Sequence, residues 1–150
     1  MKLLADAMLA KLGRRLRILG HDTDIMDSVV SDTQVLNTAK REHRLLITRD
    51  KQLHERARKD KLSSILIAPK TLQPQLNQAF SDLKIQNTFP ENARCSNCNV
   101  KLKETERPEL GIPIPSKRYW QCPKCKQYYW QGTHYEKIEK AFKEAEAKGK

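Results

Sequence analysis

The chain of 150 residues has room for one ordinary domain and a small appendage, and its 29 Lys and Arg against 18 Asp and Glu give a net charge of +11. This charge favours a polyanionic partner, with nucleic acid as the first candidate and an anionic membrane surface as the second. No apolar run approaches the roughly 20 residues of a membrane-spanning helix, which excludes a helical membrane protein. With no signal peptide visible, we expect a cytoplasmic protein.

The first part of the chain alternates short apolar runs with helical patterns. Leucines recur at helical spacing after an apolar run that ends at Asp6, and Ser31 is placed to cap a helix that begins at Asp32. The predicted elements are strand 2–5, helix 8–19, strand 21–26, helix 32–43, strand 44–48, helix 50–61, strand 63–68 and helix 72–83. This order predicts an α/β domain at residues 1–84, with a parallel sheet and helices on both faces.

A second unit follows a predicted linker at residues 85–93, which contains Asn87, Pro90 and Asn92. We assign residues 94–150 to a small ribbon with a C-terminal helix. The proline-rich residues 108–115 are predicted to form an exposed loop. Apolar residues recur at helical spacing from residue 135 to residue 148, which predicts the closing amphipathic helix.

All four cysteines of the chain lie in this second unit, as the pairs Cys95-x-x-Cys98 and Cys122-x-x-Cys125. Two such pairs, separated by a hairpin-sized insert, place four thiolates at the corners of a tetrahedron, which is the geometry of a structural zinc site. Four cysteine ligands leave no open position for water, so a catalytic zinc is not expected. The alternatives are two disulfides or two pairs of free buried thiols, and an intracellular location disfavours disulfides.

Acidic residues mark the ends of the predicted strands in the first unit. Asp6 ends the first strand, Asp50 follows the strand 44–48, and Asp32 opens a helix. The carboxyl ends of parallel strands share one edge of a sheet, so these residues are expected to converge there. Three carboxylates in a basic protein would hold magnesium or manganese for phosphodiester hydrolysis. The alternative for Asp32 and Asp50 is a purely structural role at a helix N-terminus.

Basic and aromatic side chains point to a polyanion in both units. Lys11, Arg14 and Arg15 lie on a helical face distinct from the leucines, and Arg49 adjoins Asp50, so these four are candidate phosphate ligands. The alternative is a solvated helix face, or an ion pair for Arg49. In the ribbon, lysines and arginines alternate with aromatic rings that suit stacking on unpaired bases, unless those rings form the ribbon's core. The rings are Tyr119, Trp120, Tyr128, Tyr129 and Trp130.

Three stretches of the chain together resemble one known family, the Mut-seven C-terminal RNase family, over residues 3–138. They are Met8-Leu9-x-Lys11-Leu12-x-Arg14-x-Leu16-Arg17-x-Leu19-Gly20-x-Asp22-Thr23, then Asp32-x-x-Val35-Leu36-x-x-Ala39 with Leu45-Leu-Ile-Thr48-Arg49-Asp50-x-x-Leu53, and a four-Cys ribbon that ends Tyr129-Trp130-x-Gly132-x-His134-Tyr135.

This resemblance implies a PIN-like nuclease domain fused to a zinc ribbon, with metal-dependent endoribonuclease activity carried by Asp6, Asp32 and Asp50. PIN nucleases usually add a glutamate between the first and third of these acids. The stretch from Asp6 to Asp32 contains no Glu, and Asp22 is the candidate substitute. The implied partner is RNA, either single-stranded or structured. A membrane is not expected as a partner. The alternative function is a non-catalytic RNA-binding or ribosome-associated zinc-ribbon protein.

Overall fold

A parallel sheet of four strands forms the centre of the protein in the computed structural model, which describes residues 1–109 and 116–149. The strands lie in the order β2, β1, β3, β4, with bounds β1 (Lys2–Ala5), β2 (Asp22–Ile25), β3 (Leu45–Thr48) and β4 (Ser64–Leu66). Leu3 is in register with Thr23 on one side and with Leu45 on the other. The predicted α/β class and parallel sheet are confirmed.

Helices cover both faces of this sheet because alternate strand residues point to opposite sides. The helices are α1 (Ala10–Ile18), α2 (Asp32–Glu42), α3 (Lys51–Lys59), α4 (Leu72–Leu83) and α5 (Thr133–Lys148). Leu3 and Ala5 pack in one buried core with α1, α4 and α5, whereas Leu4 packs in the other with α2 and α3. The predicted helix 8–19 begins later, at Ala10, because Asp6 caps a 3₁₀ turn at Ala7–Leu9.

The C-terminal helix α5 packs against α4 of the first unit. Its apolar face, formed by Ile138, Phe142 and Ala145, is buried in the same core as Leu76 and Phe80. The amphipathic pattern predicted this helix but not the surface that it covers. The sequence predicted that the ribbon and α5 form one unit. In the structure α5 packs in the core of the first unit, so the ribbon lies between two segments of the chain that both contribute to that core.

The described residues of the ribbon contain three short antiparallel strands in the order β5, β6, β7. Their bounds are β5 (Lys103–Thr105), β6 (Tyr119–Gln121) and β7 (Tyr128–Trp130). Tyr119 and Trp120 are buried and the other three rings are partly buried, so two of the five rings belong to the core. The loop predicted for residues 108–115 lies, from residue 110 onward, outside the described residues.

The ribbon docks on the sheet domain through the turn that holds Cys95 and Cys98. Arg17 of α1 donates from Nη1 to the Ser96 carbonyl (2.8 Å) and from Nε to the Thr23 carbonyl (2.8 Å). The Thr23 N–H in turn donates to Asn99 Oδ1 at 3.1 Å. These bonds join the amino end of β2 to the first cysteine turn, so the ribbon has a fixed position on the sheet domain.

Candidate functional site

The four cysteines converge on one point of the ribbon. All four Sγ atoms lie within 4.8 Å of one another, and the Cys95 and Cys125 sulfurs are 3.8 Å apart. A zinc ion with Zn–S bonds of about 2.3 Å places its sulfurs about 3.8 Å from each other in a tetrahedron. The cluster therefore fits a structural metal such as zinc, as the paired spacing predicted.

The two cysteine pairs lie in turns that have the same backbone conformation. Asn99 and Lys126 follow the second cysteine of each pair, and both have left-handed backbones with φ of 61° and 67°. The Asn99 N–H donates to the Cys95 carbonyl (2.9 Å), and the Lys126 N–H donates to the Cys122 carbonyl (3.0 Å). Asparagine tolerates this conformation more easily than lysine does. A metal ion bound by Cys122 and Cys125 would hold the two ends of the lysine turn together and offset this strain.

The Tyr129 hydroxyl lies 3.2 Å from the Cys95 sulfur, beside the cluster. Burial raises the pKa of Cys95, but hydrogen bonds from Tyr129 and from backbone N–H groups outweigh it and bring the pKa to about 7. Burial and the neighbouring thiols raise the pKa of Cys98 to about 12. Four thiolates at this spacing repel one another strongly, so the fully ionised cluster requires a cation.

Two predicted acids meet at the carboxyl end of the parallel sheet, here called the acid edge. Asp6 is only 7% exposed, and its carboxylate accepts the N–H of Met8 (2.9 Å), the N–H of Arg49 (3.1 Å) and the hydroxyl of Thr48. The same Thr48 oxygen accepts the Asp50 N–H at 2.9 Å. Thr48 therefore links the two acids because β1 and β3 are neighbours in the sheet.

Asp50 also acts as the N-cap of α3, which was the alternative prediction for this residue. Its Oδ1 accepts the N–H of Gln52 (2.9 Å) and the N–H of Leu53 (3.3 Å). Within the described residues, Oδ2 accepts no hydrogen bond. One oxygen thus fixes the side chain on the helix and the other remains available to a cation or a substrate.

The remaining predicted acids occupy different places. Asp32 follows the N-cap Ser31 at the start of α2, and that start is tied to α3 where Arg56 Nη2 donates to Thr33 Oγ1 at 3.1 Å. In the described part of the chain, the four cysteines are the one group of three or more His, Cys, Asp or Glu side chains close enough to share a metal ion. Asp6, Asp32 and Asp50 do not converge to that degree.

Asp22 lies at the opposite end of the sheet. It is in register with Lys2 at the amino end of β1, about 13 Å from the level of Asp6 at 3.3 Å per residue. Its carboxylate accepts Arg44 Nη1 (2.9 Å) and Asn99 Nδ2 (2.7 Å), and these partners lower its pKa although burial raises it. Asp22 joins the ribbon to the sheet domain, and the structure does not bring it to the other acids.

Asp27 is a further acid at this end of the sheet, and it was not among the predicted site residues. The Met26 N–H donates to the Ala5 carbonyl (2.9 Å), which extends the β1–β2 ladder and leaves Asp27 exposed just beyond the carboxyl end of β2. The sequence contained the necessary signal. Asp27 directly follows the predicted strand 21–26, just as Asp6 directly follows the strand 2–5.

The comparison with protein-family models matches the Mut7-C RNAse domain over residues 1–142. The chain belongs to this family. No curated protein and no solved structure matches it. The matched residues of the Mut7-C RNase domain include the sheet domain, the ribbon and α5 as far as Phe142, so the two units belong to one RNase-type domain family. No helix in the described ranges is both long and apolar enough to cross a membrane.

The predicted phosphate ligands of this Mut7-C RNase domain divide between two surfaces. Lys11 is exposed on the first turn of α1, the end of that helix that adjoins the acid edge. Arg49 fixes Asp6 through its backbone N–H, while its guanidinium Nη2 is 3.4 Å from the Ala68 carbonyl. Arg14 and Arg15, further along α1, instead line a cavity that faces the ribbon.

Proposed function

We propose that the protein is a PIN-like, metal-dependent ribonuclease that hydrolyses RNA phosphodiester bonds at the acid edge. The observation that carries this proposal is the hydrogen-bonded link from Asp6 through Thr48 to Asp50 at the carboxyl end of two neighbouring parallel strands. In open α/β sheets this end is where ligands bind. Membership of an RNase domain family and the net charge of +11 support RNA as the substrate.

Magnesium or manganese fits the donor set at the acid edge. Magnesium is commonly held by one or two carboxylates together with waters and substrate phosphates, so two acids suffice. Asp6 and Asp50 would supply these ligands, with Asp27 and Asp32 as further carboxylates on the same side of the sheet. When bound, the cation would lower the pKa of an attacking water and stabilise the charge that develops on the phosphate.

The protein's own groups would prepare this site before RNA arrives. Three donors hold the buried carboxylate of Asp6, and two N–H groups hold Oδ1 of Asp50, so neither side chain needs to reorganise. Lys11 offers an ammonium group to a substrate phosphate at the start of α1. The ribbon adds basic surface along the path of the RNA, which is the role proposed for it in binding.

A second candidate function is a non-catalytic RNA-binding or ribosome-associated module. Two observations favour it. The stretch between Asp6 and Asp32 contains no Glu, and the acids do not form a group of three in the described residues. Such a module would bind RNA through the same basic surfaces and leave the strand intact.

Cleavage of a labelled single-stranded RNA separates the two candidates. With zinc-loaded protein we expect fragments in the presence of manganese or magnesium and none in calcium alone, because calcium forms larger and less regular coordination shells. The measurement is a denaturing gel over a time course, with a preparation of the Asp50→Asn variant purified in parallel to exclude a contaminating nuclease. RNA that is bound but remains intact with either metal would support the binding module instead.

A further inference from the structure

A cavity of about 540 Å³ lies between the sheet domain and the ribbon. Its walls come from α1, from the segment before the first cysteine pair, from β7 and from the start of α5. The volume is within the range of about 300–1,000 Å³ that is usual for small-molecule sites. The cavity is separate from the acid edge, and neither Asp6 nor Asp50 lines it.

The charged side chains that line this cavity are all arginines, and a histidine lies beside them. Arg14 and Arg15 come from α1 and Arg94 precedes the first cysteine pair, while His134 lies at the start of α5. No Asp or Glu is among the described lining residues. In those same residues Arg14 and Arg15 form no salt bridge, whereas Arg44 and Arg118 each pair with two acids. The cavity is therefore complementary to an anion.

Arg15 is partly buried, and its positive charge acts on the neighbouring His134. Burial lowers the pKa of Arg15, although arginine stays protonated at physiological pH. The pKa of His134 is lowered mainly by burial and, to a smaller extent, by the positive charges of Arg15 and Lys137. A phosphate group would neutralise the positive charge of the arginines and would form bidentate hydrogen bonds with a guanidinium.

Aromatic rings line the cavity together with aliphatic and small polar side chains, and two of the rings remain available to a ligand. Phe89 already packs against Tyr135 and Phe142. Trp120 and Tyr135 already stack on each other, with centroids 6.1 Å apart and an interplanar angle of 11°. The Tyr129 hydroxyl is hydrogen-bonded to the Cys95 sulfur. Tyr128 and Trp130 are partly buried, and they lie on the same face of β7 because they are two residues apart in a strand.

We infer that this cavity binds an unpaired nucleotide of RNA, with its base against Trp130 and Tyr128 and its phosphate at Arg14 and Arg15. Aromatic rings recognise bases that are free of pairing, because a paired base does not expose its face. Lys11 and Arg14 are three residues apart on α1, about 4.5 Å along the helix axis. One strand can therefore run along α1 from the cavity towards the acid edge.

The inference deepens the proposed function, since it takes RNA as the substrate class and adds that the strand must be single. It assigns Arg14 and Arg15 to a positioning site rather than to the scissile phosphate. A peptide with acidic and aromatic residues is the other chemistry that such a lining could accept, and the RNA-binding test below distinguishes it.

The test compares two double variants that lose the same charge. Arg14→Gln with Arg15→Gln alters the cavity, whereas Arg58→Gln with Lys59→Gln alters exposed residues at the end of α3. Binding of a labelled single-stranded RNA and of a duplex of equal length is measured by fluorescence anisotropy, in zinc-loaded protein without magnesium or manganese. We expect the cavity variant to weaken single-strand binding about tenfold, with little loss for the duplex, and the control to weaken both slightly and equally.

Tryptophan fluorescence gives an independent readout, because the chain has two tryptophans and both are in the ribbon. Single-stranded RNA should quench the emission of the wild type and of Trp120→Phe, while Trp130→Phe should lose most of the quench. Equal losses in both double variants, unchanged single-strand affinity in the cavity variant, or a quench that persists in Trp130→Phe would each overturn the inference. Since no cleavage is measured, a negative binding result leaves the nuclease proposal standing. Conversely, a catalytically inactive protein can still show the expected RNA binding.

Discussion

Removal of the metal from the four-cysteine cluster is expected to unfold the ribbon, residues 94–132, while the helices of the sheet domain persist. The part of the ribbon that the structure describes has three strands of three residues each, and so small a unit draws little stability from its own core. In zinc-finger peptides, metal binding contributes about 10–16 kcal/mol, which then serves as folding free energy. Cys122→Ser should have the same effect as a chelator, because Cys122 is buried and its sulfur also accepts the N–H groups of Lys124 and Cys125.

Two spectroscopic signals separate the units in this experiment. Both tryptophans lie in the ribbon, so their emission reports its unfolding, whereas the helices of the described chain all lie outside residues 94–132 and dominate the far-ultraviolet circular dichroism. Lys124→Ala is the matched control, since Lys124 is an exposed residue between Cys122 and Cys125. Protein purified without chelator should contain one zinc per chain. Unchanged tryptophan emission after complete loss of the metal would contradict the structural role of the cluster.

The second large effect is expected at the acid edge, from Asp50→Asn. The substitution keeps Oδ1 as the cap of α3 and removes the charge of the oxygen that has no hydrogen-bond partner among the described residues. Cleavage should fall by at least about 100-fold, because the cation loses a ligand while the fold does not change. RNA affinity should stay the same or rise, since a negative charge leaves a basic protein.

The control for this variant is the same chemical change at the other end of the same helix. Asp60 follows α3 and is exposed, ten residues or about 15 Å from Asp50, so Asp60→Asn should cleave as the wild type does. Loss of activity in both variants, or in neither, would remove Asp50 from the proposed site.

Asp6→Asn is a weaker test than Asp50→Asn, although the sequence placed both acids on equal terms. Asp6 accepts three hydrogen bonds while buried, and an amide NH₂ group would face the N–H of Arg49 or of Met8. Leaving such a buried donor without a partner costs about 1–3 kcal/mol. A loss of cleavage in Asp6→Asn would therefore combine chemistry with lower stability.

The features that the sequence predicted best are those that depend on nearby residues. The cysteine turns depend on spacings of three residues, and the capping box of Ser31 and Gln34 and the strand-to-helix alternation are equally local. The approach of Asp6 to Asp50 required in addition that β1 and β3 be neighbours. Short connections and parallel strands make that arrangement common, and the structure has it.

The features that the sequence could not predict depend on contacts between distant segments. Asp22 is held by Arg44, 22 residues away, and by Asn99, 77 residues away, so its place in the strand pattern gave no sign of its role. The surface that α5 covers is likewise set by α4, more than 50 positions earlier in the chain. The cavity beside Arg14 and Arg15 exists only after the ribbon has docked on α1.

Anomalous scattering from crystals soaked in manganese tests the proposed nuclease site most directly. We expect zinc in the four-cysteine cluster and a manganese ion at the acid edge, within coordination distance of Asp50 Oδ2 and of the Asp6 carboxylate. The zinc signal serves as the internal standard for sensitivity. Zinc at the cysteines together with no manganese near Asp6 and Asp50 would rule out the proposed nuclease site and leave RNA binding as the function of this protein.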